Sequence, residues 1–300
     1  MKKTIKTIIF ILIITMITSY SHVSAIQNIN EDTINKNVDN ILLIGRDSIN
    51  SNGPSRSDTM IILTIDNLNK QLKLTSLVRD TLVKIPGKGY EKLNHAYAYG
   101  KEELLMQTIN ENFDININDY AVVDFKSFTE LIDILGGVEV DIDENELDHL
   151  NKFIKVCYDL NDKNKGNIEY IEKSGTNNLN GYQALAYARI RKIDTIYKRD
   201  ARQREILTNL AYKMANTSIT NYVPIIKTAL NYVDVNISLD KIMRLAFSAH
   251  EMASYEIKQM EFPFEDYREE GRLNDNGTYV VKWNIDKNIE LLHNFIYGGQ

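Results

Sequence analysis

Asn40-Ile41-Leu42-Leu43-Ile44-Gly45 is a continuous apolar run closed by a glycine, the pattern of a central strand buried on both faces. Thr59-Met60-Ile61-Ile62-Leu63-Thr64-Ile65 predicts a second strand, and the polar turn Asp66-Asn67-Leu68-Asn69-Lys70 sends the chain back through Gln71 to Val78 as a third. A hairpin of the second and third strands brings Asp58, which starts one, to Arg79, which follows the other. A first strand antiparallel to the second would carry Asp47 to the same sheet edge. Two carboxylates and an arginine are then expected together, although thirty residues of sequence separate them.

Outward from this core, Leu104, Leu105, Thr108 and Ile109 give Glu102 to Asn112 helical spacing. Tyr120 to Phe125 is strand-like. Phe125, Phe128, Ile132 and Leu135 form a helical stripe that stops at Gly136-Gly137. Val138 to Ile142 alternates as a half-exposed strand, and the polar region from Asp143 to Asn178 reads as loop-rich, most clearly over Asn161 to Asn167. Asn180 is placed to cap a helix over Gly181 to Ala188. A helix from about Asp200 to Ala215 turns Ile206, Leu207, Leu210, Ala211 and Met214 inward. Helices over Leu239 to Ser254 and Ile285 to Phe295 flank a strand at Tyr279 to Trp283. Intermixed strands and helices predict an α/β fold: a single domain, with a mixed central β-sheet and helices on both faces.

The chain has 300 residues, 25% of them charged, and a net charge of −6. This is ordinary globular composition, and its sign argues against a whole-surface nucleic-acid binder. One cysteine, Cys157, excludes an intramolecular disulfide and a multi-cysteine metal site. Lys2, Lys3 and Lys6 precede an apolar run from Ile8 to Ile17, and Val23-Ser24-Ala25 ends in a residue that signal peptidases accept. Residues 1–25 therefore read as a signal peptide or a membrane anchor. Residues 26–38 are an Asn-rich spacer, and 39–300 form the domain. With those three lysines inside the cell, 32 basic residues face 41 acidic ones outside, a balance of −9.

Against that acidic background, Arg189 to Arg204 carries seven cationic side chains and two acidic ones. Guanidinium groups grip phosphate oxygens with two prongs, and several together neutralise a pyrophosphate. A helix beginning near Asp200 would add the positive end of its dipole. A solvated basic helix face is the ordinary reading of such a run, but the apolar Ala184, Leu185, Ala186, Ala188 and Ile190 hold it near the core. Asp47 and Asp58 suit a hard divalent ion such as Mg2+, which takes one or two carboxylates plus phosphate oxygens. Taken singly, each is a common turn residue. There is no glycine-rich phosphate loop, no Gly-x-Ser-x-Gly elbow and no zincin histidine pair, and His95 alone reads as structural.

The blocks Asn40 to Asp47, Arg56-Ser57-Asp58-Thr59-Met60, Ser76 to Thr81, Lys92-Leu93-Asn94-His95-Ala96-Tyr97, Asp133 to Val138, Leu179 to Lys192 and Arg202-Gln203-Arg204 resemble, in order and spacing over residues 40–210, the signatures of the LytR-CpsA-Psr family. The resemblance implies a phosphotransferase on the outer face of the cell membrane. Such an enzyme moves a glycopolymer, of teichoic acid or capsular polysaccharide type, from a polyprenyl-pyrophosphate carrier to peptidoglycan. It implies Mg2+ on Asp47 and Asp58, a pyrophosphate held by Arg79, Lys92, Arg189, Arg191, Arg199, Arg202 and Gln203, and catalytic roles for Arg79, Arg189 and Arg191. The partners are then the lipid-linked glycopolymer, peptidoglycan and the membrane, with no nucleic acid. Location is anchored at the membrane, or extracellular if cleavage follows Ala25.

The chain also departs from the family pattern. Ile196 stands where an aspartate is usual, leaving Asp194 or Asp200 as substitutes for a suspected base, and Val78 replaces a common proline. The family's lipid tunnel finds a candidate lining in Phe125, Phe128, Ile132 and Leu135, which core packing explains equally well. A polyprenyl-pyrophosphate hydrolase and a non-catalytic envelope pyrophosphate-binding or regulatory protein are the alternative functions.

Overall fold

The computed structural model describes residues 38–47, 55–160, 166–190, 196–273 and 277–298, all within one compact unit, Asn35–Gln300. The predicted export segment and, apart from Val38, the spacer lie outside these residues. Among the described residues no helix is long and apolar enough to cross a membrane.

Strands β1 (Val38–Arg46), β2 (Ser57–Asp66) and β3 (Gln71–Leu77) are those expected from the apolar runs. β2 pairs antiparallel with both β1 and β3. β1 pairs on its other side, in parallel, with β6 (Asp119–Val123). Edge strands β9 (Asp234–Val235) and β10 (Glu256–Phe262) complete a mixed sheet in the order β10-β3-β2-β1-β6-β9. The remaining strands form three two-stranded pieces: β4 (Leu82–Ile85) with β5 (Gly89–Lys92), β7 (Val138–Ile142) with β8 (Gly175–Leu179), and β11 (Arg268–Arg272) with β12 (Tyr279–Trp283).

Alternation along the strands sorts their side chains between two layers of helices. Leu42, Ile44, Met60 and Ile62 share one core with Leu93, Tyr97, Leu105 and Phe113 of α1 (Leu93–Phe113) and with Leu292 and Ile296 of α8 (Ile285–Tyr297). The opposite face is covered by α2 (Phe125–Ile134), α5 (Ile196–Ala215) and α7 (Leu239–Met252), and a second core joins Ile132 and Ile206 to α3 (Glu144–Asp159), α4 (Gly181–Ala188) and β7. A short α6 (Tyr222–Ala229) follows α5. The predicted class is therefore the observed one, an α/β fold with a mixed sheet between helices.

Three local expectations change. The helix placed at Glu102 begins at Leu93 and is broken at Gly100 and Lys101, where the backbone leaves the helical region. The loop-rich reading of 143–178 gives way to α3 and β8. Leu150, Ile154 and Cys157 make a narrow apolar stripe along α3, and a capping box between Asp143 and Glu146 starts it. Finally, α5 begins at Ile196 rather than near Asp200, so Arg199 and Asp200 lie inside its first turns.

Candidate active site

The register of β1 on β2 sets Gly45 opposite Thr59 and Arg46 opposite Ser57, so Asp47 and Asp58 leave the sheet at one end. The end of β3 is there too. Arg79 donates from Nη1 to Asp58 Oδ1 at 2.6 Å, and its Nε lies 3.5 Å from Asp80 Oδ2. Asp80 in turn accepts from Lys92 Nζ at 2.7 Å. Burial works against the Arg79 charge, but the Asp58 and Asp80 carboxylates outweigh it and hold the guanidinium pKa above its usual value. The expected meeting of Asp58 with Arg79 is therefore present.

From the other side of the sheet, α5 delivers Arg199, only 3% exposed, whose Nη2 donates to the Asp58 carbonyl at 3.3 Å. The same guanidinium chelates Asp200 Oδ1 at 2.8 and 3.1 Å. Burial pushes the Asp200 carboxyl pKa up against the pull of Arg199. Arg189 caps the C-terminus of α4. Its guanidinium lies over the Phe125 ring, 4.3 Å from the centroid, and Nη1 approaches the buried Cys157 sulfur at 3.8 Å. Gln203 donates to the Ala188 carbonyl at 3.4 Å, one contact between α5 and α4.

Arg189, Arg199, Gln203 and Asp58 line a cavity of about 1100 Å³, counting its open mouth, whose walls include Phe125, Phe128, Leu131 and Ile132. Three residues of the predicted stripe, Phe125, Phe128 and Ile132, thus face this space, while Leu135 is not among its lining. A second apolar cavity of about 910 Å³ lies under α5 and α7, and Leu43 and Leu207 line both. A polar mouth on a deep apolar interior suits an amphiphile with an anionic head.

The other predicted residues are placed differently. Asp47 is exposed, and its Oδ1 accepts from the Arg56 backbone N–H at 2.9 Å. Arg202 is buried and donates from Nε and Nη2 to Glu146 Oε1 at 2.8 and 2.6 Å. It ties α5 to α3 and is not part of the cavity lining. Arg191 and Asp194 lie outside the described residues, as does the side chain of Ile196.

Sequence reasoning missed Arg46, which pairs with Asp124 at 3.0 Å at the cavity mouth. Its place beside Asp47 in the opening motif was the available signal. Arg204, the last cation of the basic run, does not line the cavity and reaches Ser76 Oγ at 2.7 Å; burial lowers its pKa despite Glu261 and Asp200 nearby. No group of three or more potential ligands converges on a metal position among the described residues. Asp47 and Asp58 share one end of the sheet and offer the oxygen donors that a hard divalent ion takes.

The LytR_cpsA_psr family model matches residues 12–293. The chain is 30% identical over 274 residues to the polyisoprenyl-teichoic acid–peptidoglycan teichoic acid transferase TagT of Bacillus subtilis (strain 168), covering 88% of this chain and 81% of the relative. The structure of TagT bound to LIIa-WTA superposes with a TM-score of 0.68 at 27% identity, over 93% of this chain and 98% of that one. TagT with bound octaprenyl pyrophosphate lipid matches with a TM-score of 0.63 at 25% identity, over 92% and 99%.

Proposed function

Because the chain belongs to the LytR-CpsA-Psr family, we propose that it is a phosphotransferase moving a glycopolymer from a polyprenyl-pyrophosphate carrier to peptidoglycan outside the cell membrane. The observation that carries this reading is that Arg79 and Arg199 both bond Asp58, while Asp58, Arg189 and Arg199 line one cavity with apolar walls. The prenyl tail is buried among Leu43, Phe128 and Leu207, where each methylene removed from water contributes about 0.8 kcal/mol. The pyrophosphate then lies against the arginines, whose planar, permanently charged groups match its oxygens.

In the reaction an acceptor sugar hydroxyl attacks the phosphorus that bears the glycopolymer. A new P–O bond forms to the acceptor, the bond to the bridging pyrophosphate oxygen breaks, and polyprenyl phosphate leaves. Negative charge grows on the leaving phosphate, and Arg79, Arg189 and Arg199 offset it in a site already organised by Asp58, Phe125 and Asp200. Asp47 and Asp58 would hold Mg2+, which when bound supplies further charge neutralisation at the phosphate oxygens. Ile196 cannot act as a base and the Asp200 carboxylate is held by Arg199, so the proton of the attacking hydroxyl passes to the departing phosphate or to solvent. Residues 1–25 carry the enzyme to the outer side of the membrane, where its lipid is, as an anchor or as a signal cleaved after Ala25.

Purified enzyme given labelled lipid-linked glycopolymer and peptidoglycan should form a wall-linked adduct. Arg79→Ala and Arg191→Ala should each lower that transfer by about 10²–10³-fold while leaving the circular dichroism spectrum unchanged. Full activity in both variants would overturn the site assignment. Release of free phosphate-terminated polymer, with no adduct, would make the chain a hydrolase.

A further inference from the structure

The segment Arg79–Thr81 is a hub. Asn94 N–H donates to the Arg79 carbonyl at 3.1 Å and Leu93 N–H to the Thr81 carbonyl at 2.9 Å, which fixes the start of α1. Val281 N–H donates to the Asp80 carbonyl at 2.8 Å, and Thr81 bridges Val281 in parallel, which fixes β12. Two elements remote in sequence are thereby held beside the arginine that grips Asp58. Both bury their apolar side chains in the core, and β12 presents Tyr279 beside Lys92.

Lys92 marks the boundary. Its Nζ pairs with Asp80 and sits 5.5 Å from the centre of the Tyr279 ring. Beyond it, Glu270 on β11 is exposed and accepts from Tyr197 Oη at 3.1 Å. The Tyr279 hydroxyl is pushed up to about 12, by burial first and then by Glu270. The Arg268 guanidinium stacks on Tyr197, 3.6 Å from the ring centre, and steadies it.

The geometry points to this rim as a glycan-binding subsite that receives the acceptor strand and presents its hydroxyl to the pyrophosphate; the inference rests on the phosphotransferase reading. Carboxylates are acceptor-only when ionised, so Glu270 favours sugar hydroxyls and repels phosphate. Tyrosines add an apolar ring and a polar tip, as a pyranose requires. At the diphosphate the arginines present their guanidinium groups, whereas at the rim Arg268 and Lys92 lie over tyrosine rings and leave the Glu270 carboxylate and the tyrosines to meet the sugar.

The test uses the full chain, a soluble uncross-linked peptidoglycan glycan fragment as acceptor, and polyprenyl pyrophosphate without sugar as a binding control. Glu270→Ala should raise the KM for the fragment and weaken its direct calorimetric binding by about tenfold, the loss expected for a hydrogen bond to a charged group. Tyr279→Phe, which keeps the ring, should act in the same direction more weakly. Affinity for polyprenyl pyrophosphate should stay the same in both, which also shows that they fold. An effect confined to the KM of the lipid-linked donor would assign the rim to the donor's own sugar and overturn the acceptor assignment, and unchanged values throughout would overturn the subsite. Glu270-dependent binding of the fragment by an enzyme that forms no wall adduct would leave the subsite standing and remove the phosphotransferase reading.

Discussion

Lys73 is 2% exposed in the middle of the sheet, where an unpaired ammonium would be severely destabilising. It donates to Asp66 Oδ2 and to the Ile296 carbonyl, both at 2.8 Å, so one side chain ties the β2–β3 turn to the last helix. Asp66 also accepts from Asn69, from the backbone at 3.0 Å and the side chain at 2.9 Å. Lys73→Ala strands a buried carboxylate and should cost about 3–5 kcal/mol in urea unfolding, whereas the paired change Lys73→Met with Asp66→Asn should cost far less. Burial raises the Asp66 pKa, but the bonds from Lys73 and Asn69 more than offset this, leaving it below its ordinary value. A carboxyl lowered in the folded state stabilises above its unfolded pKa of about 3.9 and loses that contribution as pH falls through the folded value. Unfolding curves taken downward from neutral pH should show a loss of stability below about pH 4 that the double variant lacks. This pairing was invisible in the sequence, where Lys73 is one polar residue in an alternating strand. By contrast, Asp58 and Arg79 could be matched in advance, because a short hairpin leaves only one edge for both.

At the level of elements, the position of Arg189 depends on how closely α4 sits on α2. Gly181 begins α4 with its N–H on Asp133 Oδ1 at 2.7 Å, and a Cβ there would stand 2.3 Å from the Thr129 carbonyl oxygen. Backbone cannot yield as a side-chain tip does. Gly181→Ala should therefore cost about 1–3 kcal/mol in thermal unfolding. Transfer should fall at temperatures where the variant is still fully folded, because α4 carries Arg189 with it. The Asn180 cap that starts this helix was legible, and its capping box with Gln183 is present. So were the helix stop at Gly136-Gly137, both at positive φ, and the alternation of β7. α3 was not legible, since its three buried apolar positions are outnumbered by polar residues on the solvent side. Its importance lies in Glu146, which captures Arg202, and no local pattern marks one arginine in a basic run as structural.

For the molecule as a whole, two apolar cavities share Leu43 and Leu207 in their linings beneath the charged end of the sheet. A bulky side chain at that seam should exclude the far part of a prenyl tail without touching the arginines. Leu207→Trp is expected to lower the polyprenyl lipid that co-purifies with the protein by about tenfold or more, as the loss of two buried methylenes already costs about 1.6 kcal/mol; mass spectrometry of the extracted lipid measures it. The amino-acid sequence alone determined the strand core, the hairpin that joins Asp58 to Arg79 and the concentration of arginines after Ala188, because these depend on periodicity and on neighbours along the chain. It also carried, in ordered motifs, the family to which the chain belongs. Only the tertiary structure decided which arginines face the cavity and which are spent in buried pairs, that the sheet's second face is left hollow, and that a tyrosine and carboxylate rim borders the site. Those outcomes follow from how elements far apart in sequence pack and which buried charges find partners, and burial and pairing are properties of the assembled chain rather than of any window along it.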